Sequence, residues 1–163
     1  MKISVRFFAV TYLLLFSLSA IGDDHERSKN FVMFNAGTLN VEASIIDETS
    51  RGTLGHADVK IYSKVVDFKL PTDECRNGIV ITKDSIVMTF NDLSQLVGTA
   101  DTNVCIEDGG TQSIDGKGEW VSGSRRFADV TGGELYIKGT ATPQSDYGPF
   151  YTTAGAISGQ IER

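Results

Sequence analysis

The chain has 163 residues, a formal net charge of −6, 40% hydrophobic and 22% charged residues, and 17 glycines against 3 prolines. That balance belongs to one ordinary globular domain, not to a disordered acidic tail or a low-complexity chain. The acidic charge argues against a dedicated nucleic-acid binder, two cysteines against a multi-disulfide scaffold, and two histidines against most multi-histidine metal centres.

In chain order, the first feature is an address. Lys2 and Arg6 precede an apolar run, Phe7–Leu18, broken only by Thr11 and Ser17. Ala20-Ile21-Gly22 then puts small residues at the two positions a signal peptidase inspects, ahead of Asp23-Asp24. This is the layout of a secretory signal peptide over residues 1–22, with cleavage after Ala20 as the rival to cleavage after Gly22. The apolar run falls short of the roughly 20 residues a membrane span needs. No later segment is long and apolar enough to span, so the expected product is an exported protein, periplasmic or secreted, without stable membrane insertion. Residues 23–30, all polar, read as a flexible start, and residues 31–163 as the folded domain.

From residue 31 the apolar period is two. Leu39, Val41, Ala43 and Ile45 alternate with polar residues; so do Ala57, Val59 and Ile61, then Leu135, Ile137, Gly139 and Ala141, then Gly155, Ile157, Gly159 and Ile161. Alternation of this kind predicts half-buried strands. They fall near 31–35, 38–47, 56–68, 79–82, 84–91, 102–107, 116–122, 134–142 and 154–161, the fourth and fifth readable as one bent strand. Turn chemistry sits at Ser50-Arg51-Gly52, Arg76-Asn77-Gly78, Asp108-Gly109-Gly110, Asp115-Gly116 and Thr131-Gly132-Gly133. Only residues 91–97 suggest a helical turn, capped by Asn91 or Asp92. About eight short strands predict an all-β fold, an antiparallel closed barrel, with a β-sandwich as the alternative. Gly155 and Gly159 in the last strand favour the barrel, because they allow the kink and close approach that closure needs.

Export places Cys75 and Cys105 in an oxidising compartment, where one intramolecular disulfide is expected; two separate buried thiols are the alternative. Closing a loop of about 30 residues stabilises a fold by roughly 3 to 4 kcal/mol in the chain-entropy account.

Residues 116–142 carry a resemblance. Gly116, Gly118, Gly123, Phe127, Ala128, Thr131 and Gly132 fall as in the hairpin of allene oxide cyclase-like and dirigent-like barrels, where a glycine-spaced strand enters a GSGRFAGATG-type turn. Small exported bacterial proteins of unknown role carry similar hairpins. Arg125 stands where that pattern has glycine. The resemblance implies an eight-stranded antiparallel barrel with a narrow apolar interior. It carries over no activity, since no catalytic residue of those families matches a position here. Read from its own residues, the segment is a turn device, with Phe127 as a plug and Gly123 and Gly132 in conformations other residues resist.

No nucleophile elbow, zinc motif, P-loop or dinucleotide fingerprint occurs. His25 and His56 read as surface residues, and Asp101, Glu107 and Asp108 lack calcium-loop spacing, so no metal or cofactor is expected. Arg125-Arg126 reads as a solvated turn, with an anion site as the lesser alternative. The candidate ligand-binding residues are Trp120, the only tryptophan, and Tyr147, Phe150 and Tyr151 in the proline-containing segment 143–153 at a barrel mouth. These features favour a non-enzymatic binding or interaction module that takes an apolar small molecule or a protein partner. One alternative is a cyclase- or isomerase-type enzyme acting by confinement inside the barrel. Another is an envelope or surface interaction protein with a filled barrel and an active outer face.

Overall fold

The computed structural model describes residues 28–145 and 148–163. The expected signal peptide, most of the expected flexible start, and Tyr147 lie outside the described residues. The rest is a closed antiparallel barrel of eight strands in sequential order: β1 (Lys29–Asn40), β2 (Ile45–Gly52), β3 (Gly55–Lys69), β4 (Ile79–Phe90), β5 (Gln95–Ile106), β6 (Gln112–Gly123), β7 (Glu134–Pro143) and β8 (Phe150–Ile161). β1 closes the ring against β8, Met33 pairing with Ile157 on one side and Gly52 on the other. The sandwich alternative is set aside by that closure, which gives every strand two hydrogen-bonded neighbours.

Strong alternation survives intact. Ala57, Val59 and Ile61, then Leu135, Ile137 and Ala141, then Ile157 and Ile161 all face inward and are buried. At Gly155 an added Cβ would strike the carbonyl of Lys138, and at Gly159 (φ 145°) that of Glu134, so β8 packs against β7 only because both positions lack a side chain.

Several expected boundaries move. The run 38–47 is two strands, because Asn40 Oδ1 accepts hydrogen bonds from the amides of Glu42 and Ala43 (both 3.1 Å) and turns the chain there. Val41 is therefore exposed, and the inward face resumes at Ile46. Ser50-Arg51-Gly52 is the end of β2, not a turn, and Asp115-Gly116 lies inside β6. The two pieces 79–82 and 84–91 are the single strand β4. Residues 91–97 form no helical turn. The Asp92 carboxylate accepts from the Ser94 amide (3.0 Å) and hydroxyl (2.6 Å), Leu93 takes φ 62°, and β5 starts at Gln95. β1 begins at Lys29, inside the expected flexible start, and β8 at Phe150, which shortens the expected 143–153 loop.

Cys75 and Cys105 form a disulfide with Cα atoms 5.3 Å apart. It ties the 70–78 connection to the end of β5.

One end of the barrel is closed by the 3-10 turn Arg125–Phe127. Phe127 is buried, its ring 5.0 Å from that of Phe90. The Arg126 guanidinium lies 4.4 Å over Phe90 and 4.6 Å over Phe127, and its Nη2 donates to the Leu54 carbonyl at 2.9 Å. Arg125 and Arg126 are both exposed, as expected of a solvated turn, and Arg126 in addition lays its guanidinium over the core rings, 3.5 Å from Asp92. Gly123 is needed for close approach to the Phe127 backbone, and left-handed backbone falls on Gly133 (φ 119°), one residue past the expected Gly132.

Candidate functional site

The barrel separates the residues grouped on sequence. Trp120 is 2% exposed, its ring 5.7 Å from Phe31 near the plugged end. Tyr151 pairs with Leu39 and Pro143 at the other end. Phe31 and Leu39 lie roughly 26 Å apart along β1, at about 3.3 Å per residue. Tyr151 packs partly against the core, while Phe150 next to it is exposed. The described ends of the connection between β7 and β8 are tied to the barrel, since the Val41 amide donates to the Pro149 carbonyl (3.0 Å) and the Gln144 amide to that of Phe150 (3.0 Å).

The interior is packed in two zones. Towards the plugged end it is apolar, with Met33, Val59, Met88, Leu96, Trp120, Leu135 and Ile157 all fully buried. The other zone is polar. Asn35, Glu48, Ser50, Thr82, Asp84, Thr102 and Thr153 are buried on the inward faces of β1, β2, β4, β5 and β8. Asn35 Nδ2 donates to Glu48 Oε2 at 2.7 Å. Asn35 Oδ1, Ser50 Oγ, Thr82 Oγ1, Asp84 Oδ1, Thr102 Oγ1 and Thr153 Oγ1 have no partner. Among the described residues no lysine, arginine or histidine is buried. The only signal for this zone in the sequence is negative: β2 and the centre of β4 break the apolar alternation with acids and hydroxyls.

A cavity of about 20 Å³ lies in the polar zone, bordered by Asn35, Glu48, Asp84 and Thr153. That is space for roughly one water molecule, far below the several hundred Å³ of small-molecule sites. A much larger depression, about 880 Å³, lies on the outer wall over β3 to β7. Tyr62, Lys83, Asp101, Lys117, Glu119 and Glu134 line it. Its charges alternate: Lys83 pairs with Asp101 at 3.6 Å and Lys117 with Glu134 at 3.3 Å. The Tyr136 hydroxyl donates to Glu134 at 2.7 Å, and this bond, followed by Lys117, holds the Glu134 carboxyl below its ordinary range. Glu134 in turn raises Lys117. These pairs are solvent-exposed and contribute little to stability.

Beyond Ser63, β3 outruns β2 and pairs only with β4. Val65, Val66, Phe68 and Leu70 are exposed there. A bulge at Val66 and the flanking Lys64 and Lys69 blunt this edge against pairing with another strand.

Among the described residues no three His, Cys, Asp or Glu side chains gather as a metal cluster, and no helix is long and apolar enough to cross a membrane. Comparison with family models, curated proteins and solved structures finds no match to the chain.

Proposed function

We propose that the protein is an exported, non-enzymatic interaction module with a filled barrel, and that it works through its outer wall. The observation that carries this reading is the contrast between an interior cavity of about 20 Å³ and an outer depression of about 880 Å³. A bound apolar molecule or a confined substrate needs a chamber, and the interior cavity of about 20 Å³ is far too small for one. The outer wall offers a concave surface of both charge signs on rigid strands. Its complement is a polar protein surface with its own alternating charges, docked with marked salt dependence. Export rests on the residue 1–22 pattern and agrees with the disulfide. The allene oxide cyclase-like resemblance rests on the hairpin residues, and the closed eight-stranded barrel agrees with it.

The test is chemical cross-linking in the native exported fraction, wild type beside a Lys83→Glu/Lys117→Glu variant. A cross-linked species that weakens with added salt and disappears in the equally stable variant supports the reading. Saturable binding of a fluorescent apolar probe, lost on Tyr151→Ala, would overturn it in favour of an internal ligand.

A further inference from the structure

We infer that the outer face of the β1–β8 seam is an interface with a second copy of this chain. On β1 the inward positions Phe31, Met33, Asn35 and Leu39 are buried, so the even-numbered residues from Asn30 to Asn40 point outward. On β8 the inward positions Thr153, Ile157 and Ile161 are buried, and the even-numbered residues from Phe150 to Gln160 point outward. None of these outward residues carries a charge. Each of the other strands does carry charge among its exposed residues, for example Asp47, Lys60, Lys83, Asp101, Lys117 and Lys138. Phe34 is 66% exposed in the middle of the uncharged strip, with Val32 and Phe150 exposed towards its two ends. A solvated surface gains nothing from leaving a phenylalanine so open on a strip without charge; contact with an uncharged partner surface removes it from water.

The layout around Phe34 fits that surface to itself. Ala36 pairs with Ala154 on β8 and with Thr49 on β2, a level of small side chains across three strands. One level towards the plugged end lie Arg51, Phe34 and Ala156; one level towards the other end lie Asp47, Thr38 and Thr152. A two-fold axis that crosses the strands at the Ala36–Ala154 level lays each of these levels over the other in the partner. Phe34 of each copy then stands over the small Thr38 and Ala36 of its partner, as side chains interlock between packed sheets. Arg51 of each copy comes opposite Asp47 of the partner, so the rim charges match twice. A two-fold axis along the strands would set Arg51 against Lys138, which pairs with Ala156 on the far side of the seam, and like charges reject that arrangement. The strip measures about 10 by 33 Å from strand spacing and rise, the footprint of a dissociable dimer and not of a permanent one. In the ring of strands the seam lies across from β4 and β5. Such a dimer leaves the outer depression of each copy open and facing away from the other. The inference stands independently of what binds there.

The experiment is sedimentation equilibrium of the intact exported protein over a wide concentration range, with thermal unfolding of every variant as the check on folding. The wild type is expected to pass from monomer to dimer with a dissociation constant in the micromolar range or weaker. Phe34→Glu should weaken the dimer at least tenfold without loss of the fold. Phe68→Glu, on the exposed end of β3, should leave it unchanged. Asp47→Arg and Arg51→Asp should each weaken self-association, and an equimolar mixture of the two variants should dimerise again, because each then meets the opposite charge on the other. A merely structural effect of either substitution would not be repaired by mixing. A protein that stays monomeric throughout, a dimer lost with Phe68→Glu and kept with Phe34→Glu, or a mixture no more dimeric than its components would each overturn the inference.

Discussion

Arg125 holds φ 55° in the turn that plugs the barrel, a conformation that a side chain resists and glycine accepts. The hairpin pattern it resembles has glycine there. What Arg125 offers in return is an exposed hydrogen bond from Nη1 to the Asp92 carbonyl at 3.0 Å. Relief of strain outweighs such a bond, so Arg125→Gly should raise stability by about 1 kcal/mol in a denaturant titration; a loss would mean that the bond to Asp92 dominates. Asp92 itself sets a pH limit. The Ser94 hydroxyl, then the Ser94 amide, with Arg126 adding charge, holds its carboxyl below the ordinary value of 3.8. The folded state therefore binds this proton less readily than the unfolded chain does. Its stabilisation is complete above the ordinary value and is lost as pH falls through the lower folded one. Asp92→Asn keeps an acceptor for Ser94 without titrating, so its acid-unfolding curve should fall less steeply below about pH 4 than that of wild type. Coincident acid limbs would contradict the assignment.

Among the elements, β3, β7 and β8 were legible because their inward positions are apolar or glycine: Ala57–Ile61, Leu135–Ala141 and Gly155–Ile161. β2 was hidden for the opposite reason. Its inward residues include Glu48 and Ser50, which pattern reading sends to the surface, and its sequence ends in what resembles a turn. The start of β5 was hidden by Asn91–Ser94, whose capping chemistry serves a tight turn in place of a helix. Residues that broke the pattern in β2, together with Asp84 in β4, are the ones that build the polar interior. The ligand group was legible only as aromatic residues; no local signal says that Trp120 and Tyr151 occupy opposite ends. Closure depends on β8. Gly159→Ala adds a Cβ against the Glu134 carbonyl at a positive φ and should cost roughly 3 kcal/mol or more. Gly109→Ala has only the positive φ, with open space around it, and should cost about 1 kcal/mol. Equal losses in thermal unfolding would show that strand approach is not what β8 requires of its glycines.

For the whole molecule, a barrel of eight strands is just wide enough for side chains to fill, and this one is filled by an apolar zone and a polar one. The outer wall then carries what the interior cannot: concavity, accessible charge, and a rigid frame stapled by Cys75–Cys105. Native mass spectrometry of the protein from its own exported fraction, set against the same sample denatured, tests the filled barrel most directly. The denatured mass should show the loss of residues 1–22 and of two hydrogens at the disulfide. The native mass should match it apart from a bound protein partner. An organic adduct held only in the native state would contradict a filled barrel and return the function to a ligand inside it.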